Sequence, residues 1–205
     1  MTLYIIRHGE TEMNRQGIVQ GSGVDSELNT NGRKQAHLFF KYYNNVHFDY
    51  IVTSNLQRTH QTVEPFLLRG THKDWLKLPE LNEISWGVHE GKKGSNEQHE
   101  FYKKLMADWE SGVYDTKIEG GESANELHER VSKAIQFLKN EKHQGKNILL
   151  CTHGRTLLCM LTILNNHPLS KMNDFKHQNT CLYKAHLIDG EFVFETENDL
   201  RHLGK

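Results

Sequence analysis

Three short apolar segments most constrain what this chain can fold into: residues 3–6, 50–53 and 147–152. Each has the length and the β-branched, aliphatic and aromatic content of a buried strand. Stretches with helical periodicity separate them, and strands that alternate with amphipathic helices are typical of βαβ units. We therefore predict an α/β fold of three layers, in which a mostly parallel central sheet has helices on both faces.

Capping residues indicate where the helices begin. Thr30 is a plausible N-cap for a helix over residues 31–43, and Ser54 for a helix that carries Arg58. Two stretches have the spacing of a capping box, in which a Ser side chain and a Gln or Glu three residues later bond each other's backbone. They are Ser95 with Gln98 and Ser123 with Glu126. The second precedes an apolar stripe of helical period, which predicts a helix packed on the core.

The remaining segments complete the predicted organisation. Asp189-Gly190 lies between two alternating segments, which is typical of a two-residue hairpin and predicts an antiparallel edge strand. Residues 87–121 are polar and rich in glycine and lysine, and we interpret them as a lid-like insertion. No repeat or linker marks a boundary, so residues 1–205 are predicted to form a single domain.

Composition narrows the classes of partner. The net charge of -1 over 205 residues provides no general field for nucleic acid or for a membrane surface. The three cysteines have no CxxC spacing, and residues 1–20 lack the features of a signal peptide, so we expect a cytoplasmic protein with reduced thiols. The 14 histidines include no HExxH or finger spacing, so neither a metal nor a cofactor is expected.

Two of the predicted strands end in the same dipeptide, His8-Gly9 after the first and His153-Gly154 after the last. Ligands of open α/β sheets bind beyond the carboxyl ends of the strands, so both histidines are expected at one crevice. Arg7 and Arg58 fall at the same edge and offer planar donor groups that match phosphate oxygens. Gly9 would let an oxyanion approach the backbone closely.

This set of side chains suits phosphoryl transfer, which needs a nucleophile, cationic groups on the equatorial oxygens and an acid for the departing alcohol. A neutral His8 can attack phosphorus and form a phosphohistidine, while Arg7, Arg58 and His153 hold the phosphoryl group. Each residue alone also has an ordinary structural interpretation, such as a surface arginine or a buried histidine. Their placement at several strand ends favours the catalytic interpretation.

The order of these motifs resembles that of the histidine phosphatase superfamily, also called phosphoglycerate mutase-like. The first motif comprises residues 7–11 with Asn14 and Gln20-Gly21. The others are Ser54, Leu56, Arg58, Gln61 and Thr62; Leu81, Glu83, Gly87, Glu90 and Gly91; Gly121, Glu122, Ser123 and Arg130; and finally His153-Gly154. The resemblance covers most of the chain and implies the α/β fold described above.

The resemblance also implies roles for individual residues. His8 would be the phosphorylated nucleophile and Glu83 the proton donor, with Arg7, Arg58 and His153 as the other catalytic residues. The phosphate and substrate contacts would come from Asn14, Gln20, Gly21, Glu10 and Gly154. The implied enzyme is a metal-independent phosphomonoesterase that acts on a small anionic phosphorylated metabolite.

Two other functions are compatible with the same motifs. A phosphoglycerate mutase would carry a longer insertion after Glu83. The absence of that insertion from this chain favours hydrolysis. A non-catalytic phospholigand-binding module would have no need of an acid such as Glu83. The sequence leaves open the physiological substrate, the oligomeric state and the roles of the lid residues Trp86, Lys92, Lys93 and Trp109.

Overall fold

A six-stranded sheet forms the centre of the protein, and the computed structural model describes all residues from 1 to 205. The strand order is β3-β2-β4-β1-β5-β6. The strands are β1 (Thr2–Arg7), β2 (Tyr50–Thr53), β3 (Asp74–Lys77), β4 (Asn147–Thr152), β5 (Leu182–Ile188) and β6 (Glu191–Asp199). The first four in this order pair in parallel, whereas β5 pairs antiparallel with both of its neighbours. The predicted mostly parallel sheet is confirmed.

Helices cover both faces of the sheet, as a three-layer α/β fold requires. They are α1 (Glu12–Gln16), α2 (Thr30–Tyr43), α3 (Gln57–Arg69), α4 (Asn96–Glu110), α5 (Ala124–Leu138) and α6 (Gly154–Leu164). One face packs α2 and α3 around Phe39, Val63 and Phe66, and the other packs α5 and α6 in a larger apolar core. No helix combines the length and apolar character that crossing a bilayer requires.

The register of the parallel strands decides where the site forms. Arg7 of β1 lies opposite Thr152 of β4, and Thr53 of β2 lies opposite Cys151. The residues that follow these three strands therefore leave the sheet together, at its carboxyl edge. Two buried side chains with catalytic potential, His8 and His153, lie among them.

Two predicted helix N-caps are wrong, one by a single residue and the other by two residues. The N-cap of α2 is Asn29, whose side chain accepts a hydrogen bond from Gly32 N, so Thr30 is already helical. Helix α3 begins at Gln57 after Leu56, and Leu56 provides no side-chain cap. The Ser54 hydroxyl does accept from Leu56 N, but it lies outside the helix and also contacts His153. The tertiary contact thus fixes Ser54 at the sheet edge.

Both capping boxes are present, at Ser95 with Gln98 and at Ser123 with Glu126. The hairpin is also confirmed, with Asp189 and Gly190 both at positive φ. Its strands are longer than the apolar pattern indicated, and two strands rather than one form the antiparallel part of the sheet. All three cysteines are buried and unpaired.

The polar segment 87–121 contains α4 and packs against the rest of the chain through aromatic side chains. Trp109 of α4 is buried and stacks on Trp86, with ring centroids 6.5 Å apart. Lys92 and Lys93 are exposed. The two tryptophans therefore anchor α4, and the lysines are free at the surface.

Candidate active site

His8 is a buried imidazole whose two nitrogens have different surroundings. Nδ1 lies 2.7 Å from Gly9 O, and because a carbonyl only accepts, Nδ1 carries the proton of the neutral ring. Nε2 makes no hydrogen bond within the protein. Burial holds the pKa of His8 well below its usual value, and the charges of Arg58 and Arg7 lower it further. His8 is therefore a neutral imidazole with a free lone pair on Nε2.

His153 lies beside His8, with ring centroids 5.2 Å apart. Arg58 Nε donates to His153 Nδ1 over 3.1 Å, so Nε2 carries the proton and donates to Ser54 Oγ over 2.8 Å. Burial, followed by the charge of Arg58, holds the pKa of His153 well below its usual value. His153 is therefore a neutral ring with both nitrogens bonded within the protein, and its predicted role in holding the phosphoryl group stays a prediction.

Arg58 and Arg7 bring two guanidinium groups to the same edge without a carboxylate partner. Arg58 is fully buried and donates from its terminal nitrogens to Val24 O and Gly21 O, over 2.6 and 3.3 Å. Arg7 Nη1 donates to His177 Nδ1 over 3.1 Å, while its buried Nε has no partner. Because neither guanidinium makes a salt bridge, the pair is suited to receive an anion.

Glu83 is buried beside the first turn of α6, whose backbone amides donate to its carboxyl oxygens. Its Oε1 accepts from the backbone amides of Ile84 and Thr156 and from the Thr156 hydroxyl. Its Oε2 accepts from Arg155 N over 3.1 Å. These donors fix the carboxyl group beside His153-Gly154. There it is close enough to Arg7 and Arg58 to influence the pKa of both guanidinium groups.

The other predicted substrate contacts lie around this centre and bond mainly to the protein. Asn14 Oδ1 accepts from Thr11 N and from Asn179 Nδ2, and Gln20 Nε2 donates to Thr11 Oγ1. The carbonyl oxygen of Gly21 accepts a hydrogen bond from Arg58. Glu10 is turned toward α2, where Oε1 accepts from Asn29 Nδ2. These four residues therefore support the loops that surround His8.

The two glycines that follow the histidines serve close packing. A Cβ on Gly9 would lie 2.7 Å from Gly32 O, so Gly9 lets α2 approach the strand end and does not make room for an oxyanion. A Cβ on Gly154 would lie 3.0 Å from the His177 ring and 3.5 Å from Glu83 Oε2. Gly154 thus keeps His177 and Glu83 close to the reacting centre.

Sequence reasoning assigned no role to three residues of this site, of which only Thr62 was named in a motif. Thr62 Oγ1 accepts from Gly9 N and donates to Arg58 O, which links the end of β1 to helix α3. His177 contacts Arg7, and Arg155 begins α6 next to Glu83. Arg155 follows the His153-Gly154 motif directly, so its position was a usable signal. His177 lies in an irregular loop without a pattern, and only the tertiary structure brings it to Arg7.

Beside the reacting centre, a cavity of about 290 Å³ lies between α4 and the loop after α1. It is lined in part by Gln20, Trp86 and Tyr102, and no Lys, Arg, Asp or Glu is among its lining residues. No group of three or more His, Cys, Asp or Glu is arranged to hold a metal ion. A partly aromatic cavity without Lys, Arg, Asp or Glu in its lining therefore accompanies the cationic pocket.

Comparison with known proteins agrees with this geometry. Residues 3–200 match the family model described as the histidine phosphatase superfamily, branch 1. The chain belongs to this superfamily. The match confirms the resemblance that the motifs indicated, together with the prediction of an enzyme of the histidine phosphatase class.

Its relatives include both mutase and phosphatase names. The probable phosphoglycerate mutase GpmB of Serratia proteamaculans is 29% identical, over 99% of this chain and 95% of the relative. Among solved structures, the alpha-ribazole phosphatase from Shigella flexneri is 26% identical with a TM-score of 0.86, over 97% and 96% of the two chains. Phosphoserine phosphatase from Entamoeba histolytica, in complex with 3-phosphoglyceric acid, is 25% identical with a TM-score of 0.82, over 98% of each chain.

Buried histidines predict that this histidine phosphatase loses stability in mild acid. Burial lowers the pKa of both His177 and His202 to about 4, and it lowers that of His8 and His153 as well. In the unfolded chain these histidines have a pKa near 6.5. Between about pH 6.5 and 4 the unfolded chain therefore binds more protons than the folded chain. The free energy of unfolding is then highest above pH 6.5 and falls as the pH decreases.

Urea unfolding at pH 7.5 and pH 5.0 measures this effect, and we expect a loss of at least about 2 kcal/mol at the lower pH, which is the contribution of one such histidine. A His202→Gln variant should show a shallower decrease, because it lacks one of the groups that take up protons. Equal free energies of unfolding at both pH values would contradict the prediction.

Proposed function

We propose that this chain is a metal-independent phosphomonoesterase that hydrolyses a small phosphorylated metabolite through a phosphohistidine at His8. The observation that carries the proposal is the state of His8: a neutral ring with its proton directed to Gly9 O and its Nε2 free. Arg7 and Arg58 lie beside it without carboxylate partners. A nucleophile next to uncompensated cations is what an incoming phosphoryl group requires.

In the first step, His8 Nε2 attacks phosphorus and the bond between phosphorus and the alcohol oxygen breaks. The Arg7 and Arg58 guanidinium groups hold the equatorial oxygens, and Glu83 gives a proton to the departing alcohol. A water molecule then attacks the phosphohistidine while Glu83 takes up one of its protons. Inorganic phosphate leaves, and His8 and Glu83 return to their starting states.

Turnover of p-nitrophenyl phosphate, with and without EDTA, tests this proposal. We expect release of inorganic phosphate at the same rate in both conditions, together with an acid-labile phosphoenzyme in rapid-quench samples. Loss of activity in EDTA that added metal restores would overturn the metal-independent mechanism. Binding of phosphate with neither turnover nor phosphoenzyme would instead indicate a non-catalytic module.

Phosphoglycerate mutase chemistry is the second candidate, because curated relatives carry that name. The names of the solved structures favour hydrolysis. A mixture of 3-phosphoglycerate with a bisphosphoglycerate primer separates the two. Formation of 2-phosphoglycerate faster than release of phosphate would show a mutase, and the reverse would show a phosphatase.

A further inference from the structure

The backbone of His8 is held by hydrogen bonds on two sides. One side belongs to the central sheet and to α3. There the His8 N–H donates to Thr152 O over 2.9 Å, which continues the pairing of β1 with β4. The Gly9 N–H donates to Thr62 Oγ1, also over 2.9 Å. These two bonds hold the N–H ends of the two peptide groups that flank His8.

A turn at Asn179 and Thr180, just before β5, holds the carbonyl ends of the same two peptide groups. Thr180 N donates to Arg7 O over 3.0 Å. Asn179 Nδ2 donates to His8 O, also over 3.0 Å. Because the proton on His8 Nδ1 is directed to Gly9 O, the position of this backbone fixes where Nε2 of the ring points.

Thr180 makes this turn in a conformation that a β-branched residue avoids. Its φ of 59° lies in the left-handed region, where the branched Cβ crowds the backbone. The other residues at positive φ, apart from glycines, are Asn166, Asp189 and Asn198, and asparagine and aspartate tolerate this region better. Thr180 is fully buried and directly follows Asn179. Strain of this kind persists only where the surroundings impose it, and it concentrates at functional sites.

The side chain of His202 braces Thr180 in this conformation. Burial lowers the pKa of His202 to about 4, so the ring is neutral, and its buried Nδ1 has no partner. The Thr180 hydroxyl donates to Asn179 O over 2.8 Å, which leaves its oxygen to accept from His202 Nε2 over 2.9 Å. The proton of the neutral ring is therefore on Nε2.

The segment that carries His202 is tied to α2. The ring is buried and lies edge-on to Phe39 of α2, with ring centroids 5.2 Å apart. One turn earlier, Asp199 accepts from the Tyr43 hydroxyl of α2 over 3.1 Å and pairs with Arg201 over 2.6 Å. The brace therefore rests on α2 and on the end of β6, and none of its residues belongs to the phosphoryl pocket.

We propose that Asn179 is a positioning residue for the nucleophile His8. The strained Thr180 and its brace His202 keep the Asn179 amide on His8 O. By holding the peptide group after His8, the amide keeps Nε2 on the line of attack on phosphorus, where a small displacement costs much of the rate. This inference rests on the proposed phosphatase function and goes beyond it, because it assigns a role to a segment outside the phosphoryl pocket.

Rapid quench with p-nitrophenyl phosphate tests the inference, because it measures the rate at which the phosphoenzyme forms. In Asn179→Ala we expect this rate at saturating substrate to fall about 10- to 100-fold. The substrate concentration that gives half of this rate, and the Kd of inorganic phosphate, should stay within about twofold of the wild type, since Arg7 and Arg58 are unchanged. A positioning role thus predicts a loss of rate without a loss of affinity.

Asn147→Ala is the matched control, because the Asn147 amide donates to His47 O over the same 3.0 Å but at the amino end of β4. Its rate of phosphoenzyme formation should equal that of the wild type. An unchanged rate in Asn179→Ala would overturn the inference. So would a loss that appears only as weaker binding of substrate and phosphate, because Asn179 would then contact the substrate itself.

Substitutions at His202 test the brace. His202→Leu removes the donor to Thr180 and should lower the rate of phosphoenzyme formation about tenfold, whereas His202→Gln offers an amide N–H in its place and should retain most of the rate. In a Thr180→Gly background the left-handed conformation needs no brace, so His202→Leu should cost less than about twofold. Equal losses in both backgrounds would overturn the brace. If His202→Leu does not fold, Asn179→Ala against Asn147→Ala still decides the inference.

Failure of the proposed function gives a different result. A wild-type protein that forms no phosphoenzyme and does not hydrolyse p-nitrophenyl phosphate would refute the phosphatase itself. A wild type that forms the phosphoenzyme no faster than Asn179→Ala would refute only the positioning role.

Discussion

Replacement of His8 by alanine is expected to lower turnover of every phosphomonoester by at least about 10⁴-fold, because no other free nucleophile lies in the pocket. Both nitrogens of the neighbouring His153 are occupied by Arg58 and Ser54, so His153 cannot take over the attack. Initial rates with p-nitrophenyl phosphate measure the loss. Rapid quench should find an acid-labile phosphoenzyme in the wild type and none in the variant.

The matched control is His37→Ala, which removes an exposed histidine from α2. It should keep wild-type turnover. Phosphate should still bind to His8→Ala and raise its melting temperature, because Arg7 and Arg58 remain. A variant that kept wild-type turnover would refute His8 as the nucleophile.

Replacement of Glu83 by glutamine should have the second largest effect, and its size should depend on the leaving group. General acid catalysis contributes about 10²- to 10⁴-fold when an alkoxide must be protonated. An alkyl phosphate should lose activity in this range, whereas p-nitrophenyl phosphate releases a stable anion and should lose about tenfold. The ratio of the two kcat values in wild type and variant is the measurement.

Glutamine keeps the size of the side chain but presents an amide group to the Arg155 amide that now donates to Oε2. Melting temperatures are therefore needed beside the kinetics. Thr156→Val is a suitable control, since it removes only a hydroxyl that contacts Asn82 O and Glu83 Oε1 and should affect both substrates alike. Equal losses on aryl and alkyl phosphates in Glu83→Gln would show that Glu83 is not the proton donor.

Prediction from sequence was most successful where one physical pattern dominates a segment. The strands at residues 50–53 and 147–152 are mostly apolar and buried, and the stripe of α5 has a clear helical period, so all three follow from the hydrophobic pattern. Helix α6 has ten buried residues out of eleven and hence no polar face to mark its period. Strand β3 was not predicted, because it is a largely exposed edge strand without an apolar pattern.

For the candidate site, the sequence by itself placed His8, Arg7 and His153 at one edge, because parallel strands in register end together. The tertiary structure alone decided which contacts those side chains make. It directed the proton on His8 Nδ1 to Gly9 O, occupied both nitrogens of His153 and brought His177 to Arg7 from a distant loop. These outcomes depend on burial and on contacts between residues far apart in the chain, which local patterns do not encode.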